Sequence, residues 1–405
     1  MLSETAVENL SLALLKRQQE INNFVVHKIA ERVKEIGTML PSDIYKLERL
    51  LKTGSDVKLI NKELSRLTGL QEKEIKRIIK EVAQTHYKDA KPFFDYRHKS
   101  YIPFEENKPL QRVIKAIQEQ TVEGYENLIR AQAFMIRDLK NPKRLIPTSI
   151  SKTYYSVVDE AIQANQQGVI DYHTAMRRTL KQLNDSGIRS VTYHPESGRV
   201  YTQRLDTAVR RNILDGVRAI SQAVQDEVGE EFGADGKEIT VHANSAPDHE
   251  PIQGHQFSNE EYEKLQNAEA FTDYNGKHFE PIQRAIGTLN CRHFTYSIVL
   301  GVTKPNYTQE QLDEMIAKNN KGYTTKDGKH YTMYECTQKQ REMETKVRWA
   351  KDGQMMAQTA GDLQLAQKYD ADIDKYTKEY IAFSNACGLK PKMQKMVVEG
   401  YKKLK

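Results

Sequence analysis

From Val7 to Ile36 the apolar residues recur three or four apart: Val7, Leu10, Leu14, Ile21, Val25, Ile29, Val33 and Ile36, with one gap at Gln18. That period places them on one face of an α-helix and excludes a strand, where apolar residues alternate. Thr5-Ala6-Val7-Glu8 has the hydroxyl-to-carboxylate spacing of a capping box, and Gly37 supplies a stop. A long helix with a single apolar stripe packs on neighbouring helices or on a partner more readily than it encloses a cofactor. A second stripe runs through Leu205, Val209, Ile213, Val217, Ile220, Val224 and Val228 to Gly229. The composition agrees, since 38% hydrophobic and 29% charged residues suit long helices with one wet face.

A chain of 405 residues has room for two or three domains and a substantial core. Its formal charge of +6 is mild for that length and allows contact with nucleic acid without demanding it. Cys291, Cys336 and Cys387 are far apart and odd in number, which argues against a disulfide framework and for a reducing compartment. The start, Met1-Leu2-Ser3-Glu4, lacks the basic flank and apolar core of a signal peptide. No run reaches the roughly 18 apolar residues of a membrane span. The expectation is a soluble chain, intracellular at synthesis.

Shorter helices are expected after the first, punctuated at Pro41-Ser42-Asp43, Gly54-Ser55-Asp56 and Thr68-Gly69-Leu70. Asp56 to Ala83 has the outline of a helix-turn-helix with Gly69 in the turn, but its basic bias is weak and an ordinary helical hairpin is the simpler reading. Lys91 to Glu106, with Phe93, Phe94, Tyr96, Tyr101 and Phe104, reads as an extended aromatic connection. A helix from Asn107 to about Leu139 follows, broken by Asn141-Pro142. Residues from Tyr154 to Asn184 read as helix interrupted at Gly168. Ser190–His194 and Arg199–Thr202 flank a Pro/Gly turn and read as a hairpin. Glu238–His242 alternates as a strand, and Thr324 to Tyr331 around Asp327-Gly328 reads as a second hairpin. Glu335 to about Lys368 is helix-forming with sparse apolar positions, which suggests a projecting or interface helix. The lysine-rich segment from Lys390 reads as a solvated tail or as a non-specific phosphate contact.

Chemistry-bearing residues concentrate between Glu238 and Gly301. His242 is followed by Asp248-His249-Glu250-Pro251-Ile252-Gln253-Gly254-His255, and later by Asn290-Cys291-Arg292-His293. If Cys291 opens a strand running into Phe294–Leu300, Cys291 and His293 project from one face. With His249 and His255 they could satisfy a tetrahedral structural zinc, although the spacing matches no common zinc finger and Cys-x-His is short for two ligands. A hydrolase or nuclease would use Asp248 or Glu250 as general base beside His249 and Cys291 as nucleophile or metal ligand. No established hydrolase signature supports that reading. The third reading, which we prefer, is a hydrogen-bonded staple with no bound cofactor. In it Gln253-Gly254 forms a tight turn, Asn290 a cap, Arg292 a fork to a carboxylate, and Cys291 a small buried hydrophobe.

Three features fall in the order seen in the phage minor capsid protein 2 family. These are Ser190-Val191-Thr192-Tyr193 with Ser197-Gly198-Arg199, then His242…His249-Glu250-Pro251-Ile252-Gln253-Gly254, then Asn290-Cys291-Arg292-His293. The chain resembles that family, which is similar to the wider Mu F-like head-morphogenesis proteins. The resemblance is densest over about 150–305. It extends to the N-terminal helices and to the helix carrying Tyr331, Tyr334-Glu335, Gln338 and Gln340-Arg341. Ala246 stands where the family pattern has an arginine. Ala285-Ile286-Gly287-Thr288-Leu289 replaces a longer glycine- and tryptophan-containing loop. The resemblance implies a minor component of a tailed-phage head, held at the portal vertex with other capsid proteins and in contact with packaged or ejected DNA. It also implies synthesis in the bacterial host cytoplasm and residence in the virion.

The expected fold is α+β and predominantly α-helical. Long helical N- and C-terminal parts surround a small α+β domain with hairpins. A helical region over 1–145 would bind portal or capsid, 146–305 would hold the Mu F-like domain with its preceding helices, and 306–405 a hairpin and a lysine-rich helical region. The expected role is structural rather than enzymatic, in head morphogenesis. A metal-dependent hydrolase and a non-specific DNA-binding protein are the alternatives.

Overall fold

The computed structural model describes residues 4–38, 54–96, 98–138, 141, 143–167, 172–193, 200–288, 291 and 293–404. These are mainly helical with small antiparallel sheets, a mainly helical α+β protein. The chain divides into two compact units, each gathered from separated stretches. One comprises Met1–Ser11, Lys73–Gly124 and Arg211–Lys339, the other Leu12–Glu72, Tyr125–Arg210 and Gln340–Lys405.

Helix α1 (Glu4–Thr38) follows the first apolar stripe. Ile21, Val25, Ile29, Val33 and Ile36 are all buried. The gap in the stripe is buried too: Gln18 donates to Gln71 Oε1 at 2.5 Å, so the amide is satisfied inside the packed face. Helix α2 (Ser55–Tyr96) corrects the expected hairpin, because it passes through Gly69 without a turn and through Pro92 near its end. The stripe of Leu64, Leu67, Ile75, Ile78, Ile79 and Val82 is continuous across the glycine. Its burial outweighs the roughly 1 kcal/mol that a glycine costs a helix. Pro41-Ser42-Asp43 lies outside the described residues.

Helix α3 (Lys108–Arg130) is capped by Asn107, whose Oδ1 accepts from Leu110 N at 3.0 Å. It stops nine residues before the expected Leu139. Gln132–Arg137 instead forms strand β1, paired with β2 (Leu145–Thr148), so Asn141 follows a strand and not a helix, and Pro142 lies outside the described residues. Ala133, Phe134 and Ile136 satisfy helical spacing and strand pairing alike, and the neighbouring strands decide the outcome. Helices α4 (Ile150–Gln167) and α5 (Tyr172–Ser186) and strands β3 (Arg189–Tyr193) and β4 (Val200–Arg204) follow as expected. The sheet order is β2-β1-β3-β4.

Helix α6 (Leu205–Glu231) follows the second stripe. In the first unit its Gly216 lies where a Cβ would come within 2.4 Å of Thr121 Oγ1 and 3.2 Å of Ile79. Only glycine admits that approach. The expected extended aromatic connection begins only after Tyr96: Phe94 lies in α2 itself, edge-on to Phe232 at 5.0 Å, and Tyr101 beyond it stacks on Tyr87 of α2 at 5.1 Å.

A small sheet of order β6-β5-β9 carries the stretch richest in histidine. Its strands are β5 (Gly236–Ile239), β6 (Gln256–Ser258) and β9 (Thr295–Ile298), all antiparallel. Both β5 and β9 are shorter than expected, which leaves His242, Cys291 and His293 outside them. Helix α7 (Asn259–Gln266) follows a capping box of Ser258 and Glu261, and the hairpin β7 (Phe271–Thr272)/β8 (His278–Phe279) closes over Phe257. On β5, Glu238 is buried yet accepts from Gln256 Nε2 at 2.8 Å and Asn306 Nδ2 at 2.6 Å. Helix α8 (Gln309–Lys321) and the hairpin β10 (Tyr323–Thr324)/β11 (His330–Tyr331) complete the segment, the latter at the expected Asp-Gly turn.

The expected projecting helix is two core helices. Helix α9 (Met333–Ala360) and helix α10 (Leu363–Ala386) pack through Val347, Ala350, Ala357, Leu365, Tyr369, Ile373 and Tyr380. The sequence looked too polar because several buried side chains are polar and paired: Gln340 donates to Ser384 at 2.8 Å and Tyr380 to Glu344 at 3.0 Å. The break comes at Gly361 (φ 79°) and Asp362, whose carboxylate caps Leu365 N and receives Arg177. The segment after Lys390 packs on α9 rather than trailing free. Arg348 donates to Lys395 O at 2.6 Å, and Met396 and Val398 are buried.

In the second unit Arg204 is shared by two carboxylates, the buried Asp352 with Oδ2 at 3.2 Å and the partly buried Asp206 with Oδ1 at 3.6 Å. Burial opposes a charged Asp206, but Arg204 and Arg348 hold it below the usual carboxylate range. Burial pushes Asp352 up to about 6, with Asp206 adding to the shift and Arg204 opposing it. The folded state therefore takes up a proton that the unfolded chain does not, and the associated stability is complete below about pH 4 and lost as pH rises through about 6. Its size is on the order of 2–3 kcal/mol. In thermal unfolding at pH 7 and pH 4.5, wild type should gain on Asp352→Asn as the pH falls. An unchanged difference between the two proteins would refute the assignment.

Candidate functional site

The chain leaves β5 through Thr240, whose N–H donates to Phe294 O and whose Oγ1 accepts from Phe294 N, both at 2.9 Å. This clamp holds the start of the 243–255 turns beside the entry to β9. The turns are tied internally. His249 N and Glu250 N both donate to Ala246 O, and Gly254 N returns to Ile239 O at 2.9 Å. Ile252 anchors them in a core with Phe257, Phe271, Phe279 and Cys291.

These constraints bring three of the four expected metal-binding residues together. His249 Nδ1 and His293 Nδ1 lie 3.3 Å apart, and Cys291 Sγ lies 3.4 Å from the first and 3.3 Å from the second. All three are buried, with relative exposures of 1%, 2% and 4% for His249, His293 and Cys291. The backbone N–H of His293 donates to Cys291 Sγ at 3.4 Å. The short Cys-x-His spacing thus does place both donors at one point. The ring of His242 lies against that of His293, with centroids 4.1 Å apart.

His255 is elsewhere. Its ring packs against Phe279 at 5.5 Å, and its Nε2 accepts from Lys277 Nζ at 2.9 Å. Burial and the Lys277 cation lower it to about 4, so it is a neutral acceptor. The residue follows Gly254, whose φ of 73° turns the chain into β6 and aims His255 at the aromatic cluster. Asn290 and Arg292 lie outside the described residues.

The far nitrogens of the two triad histidines are both held by oxygen. His249 Nε2 donates to the Arg284 carbonyl at 2.9 Å, and His293 Nε2 faces Gln253 Oε1 at 3.3 Å. That same Gln253 oxygen accepts from His242 N at 3.4 Å, so the glutamine does more than make the expected turn. Arg284, which no sequence pattern flagged, also donates from Nη2 to Asp248 Oδ1 at 3.2 Å.

Burial works against a charged His249, but the Cys291 sulfur, the Arg284 carbonyl and Asp248 outweigh it and raise the ring above the usual histidine range. Burial would raise Cys291, yet His249 and the backbone N–H groups of Gly287 and His293 bring the thiol below its ordinary value. Burial, with His242 and His249 beside it, holds His293 well below the usual range. The lowered thiol and the raised His249 thus support one another, while His293 is the least readily charged of the three. Of the two candidate bases, Asp248 accepts from Arg284 through Oδ1 while its Oδ2 lies 3.5 Å from His249 Nε2, and Glu250 accepts from Asn319 while burial raises its pKa.

A cleft of about 410 Å³ lies in the same unit, lined among others by Thr121, Asn212, Arg218, Gln222 and Tyr262. His293 is the one triad residue on its wall.

The family model for phage minor capsid protein 2 matches residues 5–384. The chain belongs to that family. No curated protein and no solved structure matches it. Membership in the phage minor capsid protein 2 family makes this a structural phage protein, with other capsid proteins as its partners. Among the described residues no helix is long and apolar enough to cross a membrane. In this family member His249, Cys291 and His293, with His242, Gln253 and Arg284 around them, form a knot of polar side chains in a small sheet module.

That knot makes a demand at Gly254. Beyond its positive φ, a Cβ there would meet Leu312 Cδ2 at 2.6 Å and Val241 Cγ2 at 3.0 Å. Gly254→Ala should cost about 2–3 kcal/mol, from a strained backbone plus overpacking. Gly276 (φ 84°) has nothing within 4 Å, so Gly276→Ala should lose only about 1 kcal/mol, the backbone part. Urea midpoints of the two variants check this, and equal losses would mean that the crowding at Gly254 is immaterial.

Proposed function

We propose that the chain is a minor structural component of the phage head, held at the portal vertex and acting in head morphogenesis. The observation that carries the reading is the family match over nearly the whole chain. The state of the site supports it. A thiol and two imidazoles that are almost wholly buried leave little of their surface for a substrate to reach. The protein is made in the host cytoplasm and resides in the virion. Contact with packaged DNA, in this reading, is limited to phosphate contacts from exposed lysines such as Lys390 and Lys402, a kind of binding that fades steeply between about 50 and 200 mM salt.

Co-expression of the tagged full-length chain with the phage's portal and major capsid proteins tests this directly. The chain should co-purify with the portal protein and appear in assembled heads at a low, constant copy number. A chain that stays free of both, and is absent from purified heads, would overturn the proposal. So would hydrolysis of DNA or protein by the pure chain that is lost in Cys291→Ser.

A further inference from the structure

The three buried donors have a geometry that hydrogen bonding alone does not satisfy. A carbonyl oxygen can only accept, so the contact to Arg284 O requires a proton on His249 Nε2. Gln253 presents oxygen rather than nitrogen because it accepts from the backbone N–H of His242, so His293 Nε2 carries a proton as well. With both far nitrogens protonated, the rings in their neutral forms would aim Nδ1 lone pairs at the same point, 3.3 Å apart, next to the Cys291 sulfur. The thiol has one proton to offer. Wherever it sits, one of the three donors remains a buried lone pair facing another lone pair, which is costly.

A metal ion removes the conflict, because it accepts from all three at once. The three separations of 3.3, 3.3 and 3.4 Å form a nearly equilateral triangle. Bond lengths of about 2.0–2.1 Å to nitrogen and about 2.3 Å to sulfur, with tetrahedral angles, give edges of about 3.3–3.4 Å between nitrogens and about 3.5–3.6 Å from nitrogen to sulfur, so the triangle is within about 0.3 Å of what an ion needs. The ligand atoms of His249, Cys291 and His293 lie within 4.8 Å of one another. The surroundings match those of metal ligands: each ring donates its outer N–H to an oxygen, and the sulfur accepts a backbone N–H.

We propose that His249, Cys291 and His293 bind a zinc ion as a structural centre, with one tetrahedral position left for a fourth donor. A thiolate with two imidazoles is a borderline-soft set that suits zinc, and the burial of all three side chains fits an ion with a structural role. The ion ties the turns after β5 to the entry of β9. Strands of three or four residues provide few ladder hydrogen bonds to hold that junction, so the centre takes on that work. His255 is not a ligand, since its free nitrogen is occupied by Lys277. The centre is independent of where in the particle the protein sits.

The test uses the full-length protein purified without chelator. Elemental analysis should find close to one zinc per chain. Zinc should be lost in Cys291→Ser and His293→Ala but retained in His255→Ala, Cys336→Ser and Cys387→Ser. Cobalt(II) in place of zinc should give a thiolate charge-transfer band in the near-ultraviolet and strong tetrahedral bands in the visible. Should the triad variants fail to fold, wild type alone decides: stripping with a strong chelator should lower the melting temperature by several degrees, and zinc but not magnesium should restore it. Folded, metal-free protein that takes up neither zinc nor cobalt in equilibrium dialysis would overturn the proposal. An intense blue copper band from protein as purified would overturn the assignment to zinc.

Discussion

Two hydrogen bonds that point away from the triad govern the small sheet module. His249 Nε2 to the Arg284 carbonyl and His293 Nε2 to Gln253 Oε1 fix both rings, their tautomers and therefore the point at which their other nitrogens meet. The same contacts tie four segments together: the turns after β5, the loop before Cys291, the entry to β9 and, through Gln253, the backbone of His242. The sheet is only three short strands, so its topology cannot hold those segments unaided. Apolar packing of Ile252, Phe257, Phe271, Phe279 and Cys291 supplies the bulk of the burial, and the polar knot supplies the register.

Buried polar groups organise the second unit as well, by a different device. There Arg204 is shared between Asp206 and Asp352, Gln18 pairs with Gln71, and Tyr380 with Glu344. Each is a side chain that a hydrophobic pattern would have assigned to the surface. Together they explain how a chain of mean hydropathy −0.71 builds packed cores: many of its polar residues are interior and satisfied rather than solvated. For a structural member of the phage minor capsid protein 2 family this serves specificity of packing, since a buried polar pair tolerates few alternative registers.

The sequence was a good guide wherever a single periodicity ran without competition. Helices α1 and α6 follow their stripes, strands β3 and β4 pair as expected, and the hairpin at 323–331 follows its Asp-Gly turn. It misled where local signals spoke against tertiary burial. Gly69 and Pro92 are helix breakers by propensity, yet both lie inside α2. Gln132–Arg137 satisfies helix and strand spacing at once, and only its pairing with β2 and β3 settles it. Helix α9 looked exposed because Gln340, Glu344 and Gln354 count as polar in any pattern, though all are buried. At the site, residue types were enough to single out His249, Cys291 and His293. The direction of His255 depended on the backbone at Gly254, and the role of Arg284 rests on a main-chain carbonyl, which no side-chain motif records.

The central claim is that the outward hydrogen bonds fix both rings so that two nitrogens and a sulfur converge. It can be read directly from the nitrogen-15 spectrum of histidine-labelled, full-length protein as purified. Long-range proton–nitrogen couplings should show His249 and His293 both as Nε2–H rings carrying no proton on Nδ1. Assignment uses His249→Gln and His293→Gln spectra. A protonated Nδ1 on either ring would contradict the account.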